Sequence, residues 1–168
     1  MKHSFLSFSF LMLAFSAFAQ TNDVVDIAIS SKDHTTLVTA VKAADLVTTL
    51  KGKGPFTVFA PTNAAFGKLP AGTVESLLKP ESKAALSGIL TYHVVAGNLD
   101  AAAVVAAIKN GKGKAELTTV KGAKLTARLD GDKVILTDAK GGKSTVTATD
   151  LKGSNGVVHV IDTVLMPK

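Results

Sequence analysis

The amino-acid sequence predicts an α+β domain built on an antiparallel β-sandwich with helices packed along it, and three observations carry that prediction. Apolar residues in the first half recur at three- and four-residue steps, the helical period. After Gly113 the pattern changes to alternation in short runs rich in Val, Leu and Thr. The closing run, 157–165, is apolar on both alternating faces, as a central strand requires. Helices first and strands afterwards, with one early strand, argue against regular α/β alternation.

Lys2 gives the N-terminus a positive charge, Phe5 to Phe18 is apolar and broken only by serines, and Ala17-Phe18-Ala19 supplies small residues for a cleavage site. The apolar stretch is shorter than the roughly 20 residues a spanning helix needs, so residues 1–19 read as a cleaved secretion signal and not as a membrane span. No cysteine follows it to carry a lipid. Residues 20–168 are then one domain, expected to be periplasmic or secreted.

From Thr36 to Leu50, the residues Leu37, Val41, Ala44, Val47 and Leu50 share one helical face, and Gly52 and Gly54 stop the helix. Phe56-Thr57-Val58-Phe59 is a strand of β-formers whose pairing Pro61 ends. Thr62 and Asn63 can each cap the short helix opened by Ala64-Ala65-Phe66. Further helices are predicted from Thr73 to Leu78, from Glu81 to Tyr92, and from Ala101 to Ile108, the last capped by Asp100 and ended by Asn110-Gly111. Strands follow over Glu116 to Val120, Lys124 to Leu129, Lys133 to Thr137 and Ser144 to Thr149, with Asp130-Gly131 as a hairpin turn. Asn155-Gly156 reads as a positive-φ turn into the last strand.

Composition narrows the function classes. With 46% hydrophobic and 19% charged residues the chain is folded, and with no cysteine its core stands without disulfides. The formal charge of +6 rests almost wholly on lysine, Arg128 being the sole arginine. Beyond residue 19 the aromatics are Phe56, Phe59, Phe66 and Tyr92, too few for the stacking platforms of single-stranded nucleic-acid sites and of many sugar sites, so no specific nucleic-acid partner is expected.

The chemistry-bearing residues assemble no catalytic, cofactor or metal site. Gly142-Lys143-Ser144-Thr145 imitates the end of a phosphate loop, but Thr137 stands where that motif needs its first glycine and an alternating segment follows instead of a helix. There is no G-x-S-x-G elbow and no H-E-x-x-H helix. His34, His93 and His159 are not paired at ligand spacing, and His159 and Asp162 point to opposite faces of a strand. Asp130 and Asp132 lack the further oxygen donors of a calcium loop and belong to the turn. A zone of Lys109, Lys112, Lys114, Lys121 and Lys124 can attract a polyanion, or serve as a solvated rim that keeps a sheet edge soluble.

Three segments together resemble a known family. Thr35-Thr36-Leu37-Val38-Thr39-Ala40-Val41 through Gly54-Pro55-Phe56-Thr57-Val58-Phe59-Ala60-Pro61-Thr62-Asn63-Ala64-Ala65-Phe66 is similar to the first signature box of fasciclin domains. Leu90-Thr91-Tyr92-His93-Val94-Val95 resembles their central Tyr-His motif, and Asn155 through Leu165 their closing box. The resemblance implies a wedge-shaped sandwich in a small secreted bacterial member, without enzymatic activity or cofactor. It also implies adhesion to a cell-surface or extracellular-matrix component, with partner contact at Tyr92 and His93.

Local physics offers these two residues other roles. His93, between a helix and Val94-Val95, can bond backbone at that junction. Tyr92 can lay its ring on apolar surface and leave its hydroxyl wet. Two functions stay open: a non-enzymatic binding module, whose partner an anionic glycan would suit, and a carrier of a small apolar ligand, a lipid or pigment, in a cleft of the wedge.

Overall fold

The computed structural model describes residues 22–168, so the expected secretion signal lies outside the described residues. Helix α1 (Val24–Ser30) opens on a capping box in which Asp23 accepts from the backbone of Val25 and Asp26, and Asp26 accepts from that of Asp23. The helix expected over Thr36 to Leu50 is two helices, α2 (Thr35–Ala43) and α3 (Val47–Leu50). The break is at Asp45, at φ 59°, where Leu46 N–H bonds Val41 C=O and Asp45 N–H bonds Lys42 C=O, a Schellman closure with Asp in place of Gly.

Strand β1 (Phe56–Pro61) leads through Thr62, which caps α4 (Asn63–Gly67) by accepting from Ala65 N–H at 3.2 Å. Next come α5 (Thr73–Leu77), a 3-10 turn at Pro80–Ser82, α6 (Lys83–Tyr92), β2 (Val94–Ala96) and α7 (Ala101–Asn110), the last capped by Asp100. Strands β3 (Lys114–Thr118), β4 (Lys124–Asp130), β5 (Lys133–Thr137), β6 (Lys143–Gly153) and β7 (Gly156–Ile161) complete the chain.

The strands lie in the order β2-β1-β7-β6-β5-β4-β3. All neighbours are antiparallel except β1 and β7, which run parallel from Phe56 opposite Gly156 to Pro61 opposite Ile161. The sandwich is therefore mixed and not purely antiparallel. Strand β6 forms its corner: residues 143–145 pair with β5, and from Val146 onward it pairs with β7 through two register shifts. A bridge between Val95 and Thr119 links the outer strands and nearly closes the ring.

The central pair divides two cores, which explains why the closing run is apolar on both faces. Ala60 and Val158 face a cluster with Val24, Leu37, Val41, Leu86 and Leu90 of the helices. Phe59 and Ile161 face the sandwich interior with Ile108, Leu125 and Leu136. At Gly156 a β-carbon would collide with the Phe56 carbonyl oxygen. Neither it nor Asn155 takes a positive φ, so the glycine is required by close approach to β1 and not by a turn.

Candidate functional site

The Tyr-His pair ends α6, and both side chains point inward. Tyr92 is 0% and His93 2% exposed. The Tyr92 hydroxyl donates to Lys124 C=O and accepts from Ala139 N–H, each at 3.0 Å, so it is not wet and offers a partner no surface. Of the roles the sequence left open for Tyr92, the wet hydroxyl is not the one the fold takes: the last turn of α6 is covered by β4 and the β5–β6 turn. Burial raises the Tyr92 pKa, against the opposing effect of the Ala139 N–H.

His93 Nδ1 lies 2.8 Å from Ile89 C=O, and its Nε2 accepts from Leu165 N–H at 3.0 Å. The ring is therefore the neutral Nδ1–H tautomer, bonded to backbone at both ends. Burial pushes its pKa down to about 4. Beside it the buried Asp138 accepts from Lys140, Gly142 and Met166 N–H groups. The pair thus belongs to a polar knot that ties α6 to the β5–β6 turn and to the segment after β7.

The other histidines are also structural. His159 Nε2 donates to Leu99 C=O at 2.6 Å, Nδ1 accepts from Asp150 N–H at 3.4 Å, and the ring stacks on Phe59 at 5.6 Å. Asp162 faces elsewhere, accepting from Thr145 N–H at 2.9 Å. Burial opposes ionisation of Asp162, but the Thr145 N–H, the Thr163 hydroxyl and Lys68 outweigh it and lower its pKa. His34 Nδ1 sits 2.8 Å from Ser31 Oγ, a serine-histidine contact that also caps the turn, since Ser31 accepts from Asp33 N–H. Its Nε2 is buried with no partner in hydrogen-bond geometry among the described residues, and burial lowers the His34 pKa against the opposing effect of the nearby Ala60 backbone. None of the clefts described below includes either residue. Among the described residues no group of three His, Cys, Asp or Glu is arranged to hold a metal. Gly141, at φ 88°, and Gly142 form a turn into β6 and no phosphate loop.

Beneath α1 an apolar cleft lined by Val24, Leu37, Val41, Leu90 and His93 has a free interior of ≈ 30 Å³. That is room for about two water molecules and not for a lipid or pigment. Larger hollows lie open on the surface, among them one of ≈ 340 Å³ around Lys53, Asn98, Asp100 and Asn155, one of ≈ 350 Å³ around Arg128, Ile135, Thr137, Lys143 and Thr145, and one of ≈ 400 Å³ beside the latter that shares Thr145.

The lysine zone does not form one patch. Lys109 and Lys112 stand at the C-terminal end of α7, Lys112 at φ 58°, and lead to Lys114 at the start of β3. Lys114 lies opposite Arg128, whereas Lys124 lies opposite Thr118, four residues or about 13 Å along the ladder. Lys124 is paired with Glu116 at 2.7 Å, which raises the lysine pKa and lowers that of the glutamate. Lys121 reaches toward α6, its Nζ 3.2 Å from where a β-carbon on Gly88 would stand.

Asn155, expected only to turn the chain, is a clasp. Its side chain accepts from Val24 N–H and donates to Leu50 and Gly52 C=O at 2.7 and 2.9 Å, while its carbonyl accepts from Phe56 N–H. Asn63 similarly accepts from Thr36 N–H at 2.9 Å and donates to Lys32 C=O, joining α4 to the start of α2. The Asn-Gly doublet and the start of the closing box marked Asn155 in the sequence. Nothing marked its three side-chain partners.

Residues 32–167 match the sequence profile of the Fasciclin domain. Protein sll1483 of Synechocystis is 50% identical over 144 residues, covering 86% of this chain and 73% of that protein. Cell surface glycolipoprotein MPB83 of Mycobacterium bovis is 43% identical over 126 residues, covering 73% of this chain and 48% of that one. Among solved structures, the FAS1 domain pair from the insect cell adhesion molecule Fasciclin I superimposes with a TM-score of 0.75 at 18% identity, over 86% of this chain and 51% of that one. The chain belongs to the fasciclin domain family.

Proposed function

We propose that the protein is a non-enzymatic binding module, exported and displayed outside the cytoplasm, that contacts a cell-surface or matrix component through its exposed surface. The observation that carries this reading is the contrast between interior and exterior. The polar groups of Tyr92 and His93 are spent on backbone groups inside the fold, while cations that have no ion-pair partner among the described residues stand on an exposed sheet face. A general base needs a nucleophile and an accessible site, and His93 and His159 have both ring nitrogens engaged by backbone. Relatives support the surface assignment, since MPB83 is named a cell surface glycolipoprotein and Fasciclin I a cell adhesion molecule. Among the described residues no helix is long and apolar enough to cross a membrane.

The test is binding of the labelled protein to intact cells and to deposited extracellular matrix. Saturable binding, competed by unlabelled protein, is the expected result. Only linear, non-competed uptake on both surfaces contradicts the reading.

A further inference from the structure

We propose that the open face of the β3–β4–β5–β6 sheet binds an anionic polysaccharide, with Arg128 and Lys143 as its anchors. This rests on the binding-module reading and names the partner's chemistry. The opposite face of the same sheet is filled, because α7 lays Val104 and Ile108 against Leu117, Leu125 and Ala127. Among the described residues no helix covers the outer face, whose Lys114, Glu116, Arg128 and Lys143 are exposed.

Charge on that face is unbalanced in a way the fold does not require. Lys114 and Arg128 stand directly opposite each other, an arrangement of like charges that costs stability. The face has acids, but they do not relieve it. Glu116 is ion-paired with Lys124 and only attracted at longer range by Lys114, and Asp130, which also lines the ≈ 350 Å³ hollow, lies opposite Lys133 and makes no ion pair with Arg128. Among the described residues Lys114, Arg128 and Lys143 have no ion-pair partner.

Between the cations lies a floor suited to a sugar. Arg128 is level with Ile135 and Thr145, and Lys143 with Thr137 and Thr126. These residues, apart from Thr126, line the ≈ 350 Å³ hollow together with Leu129 and Asp130, so two cations face one carboxylate there. The hydroxyls of all three threonines are unengaged among the described residues and can bond sugar hydroxyls, while Ile135 meets the apolar face of a ring. Arg128 and Lys143 sit two strands apart, about 10 Å across the sheet, so a chain crossing the strands places acidic groups on both. Arg128 supplies the planar fork that grips a carboxylate or sulfate in two places. Among the described residues the face has no aromatic ring on which a base could stack, which tells against a single-stranded nucleic acid, and the threonine hydroxyls would have to carry the sugar contacts.

Affinity of the exported protein is measured at about 0.15 M salt, where exposed charges beyond about 8 Å are screened. The probes are polygalacturonate, dextran sulfate, uncharged dextran and single-stranded DNA. Binding is expected to polygalacturonate, dextran sulfate or both, and not to dextran; which one binds separates a carboxylated from a sulfated source. Joint replacement Arg128→Ala and Lys143→Ala should weaken it about tenfold or more, and Arg128→Lys should restore only part of the loss in the Lys143 background. Lys112→Ala with Lys121→Ala should change it less than about twofold, as distant rim charges do. All variants should melt no earlier than the parent, and Arg128→Ala slightly later, since it removes the like-charge pair. Binding to neither anionic polysaccharide overturns the proposal. So does unchanged affinity in the Arg128→Ala, Lys143→Ala protein, or equally tight binding of single-stranded DNA. Failure here beside saturable cell binding refutes the sheet site and leaves the binding-module reading standing.

Discussion

His93 carries the strongest residue-level consequence, because a ring bonded at both nitrogens and fully enclosed must stay neutral. Its folded pKa of about 4 lies below the ordinary 6.5, so in the range between them the unfolded chain takes up a proton that the folded chain refuses. Stability is complete above pH 6.5 and falls as the pH drops toward 4, by about 2 kcal/mol at pH 5 and about 3 kcal/mol at pH 4 from this residue. Denaturant unfolding of the parent between pH 7.5 and 5, compared with His93→Gln, checks it. The variant should be less stable at neutral pH and lose less on acidification, and parallel curves would refute the assignment. The depressed pKa of His34 acts in the same direction and remains in both proteins.

Tyr92 supplies the second residue-level prediction. Tyr92→Phe deletes the hydroxyl shared by Lys124 C=O and Ala139 N–H and leaves an amide unpaired. The cost should be about 1 to 3 kcal/mol, a melting point lower by roughly 2 to 10 °C. The sequence left Tyr92 open between surface and interior, because a phenol at the end of an amphipathic helix suits both. Its partners stand 32 and 47 positions away in the chain and no local pattern points to them.

At the scale of elements, the helix and strand periods were legible and the partners were not. Lys133–Thr137 falls where alternation places it, and Asp100 caps α7 as its position predicts. The period of β7 could not show that its neighbour β1, a hundred residues earlier, runs parallel to it. Helix α1 escaped because a seven-residue segment rich in Val and Ile has no strong helical period, and its only signal was the capping spacing of Asp23 and Asp26. The break at Asp45 is invisible to a periodicity that continues across it.

Asn155 connects these elements, so its loss should act on more than one of them. Asn155→Ala removes three side-chain bonds that hold the start of α1, the end of α3 and Gly52 just after it to the start of β7. A destabilisation of about 2 to 4 kcal/mol is expected, with the amides of α1 exchanging hydrogen faster than those of β7. Exchange unchanged in α1 would show that the helix is held by its apolar face alone.

At the scale of the molecule, the chain divides its signature residues from its surface. Two cores share the β1–β7 pair, the Tyr-His knot closes one end, and the charge excess stands outside. The lysines flanking the sheet, Lys109, Lys112 and Lys121, should contribute only screened attraction to polyanions. Binding retained by a protein lacking Arg128 and Lys143 should therefore disappear as salt rises beyond about 0.15 M, where the Debye length is about 8 Å.

The Tyr-His motif builds the interior, and we place recognition on the exposed sheet. Cell binding by equal concentrations of folded Tyr92→Phe and of the Arg128→Ala, Lys143→Ala protein tests it most directly. Tyr92→Phe should bind as the parent does despite melting earlier, and the sheet variant should lose saturable binding while melting no earlier than the parent. Loss of binding in folded Tyr92→Phe, with the sheet variant unimpaired, would contradict the claim.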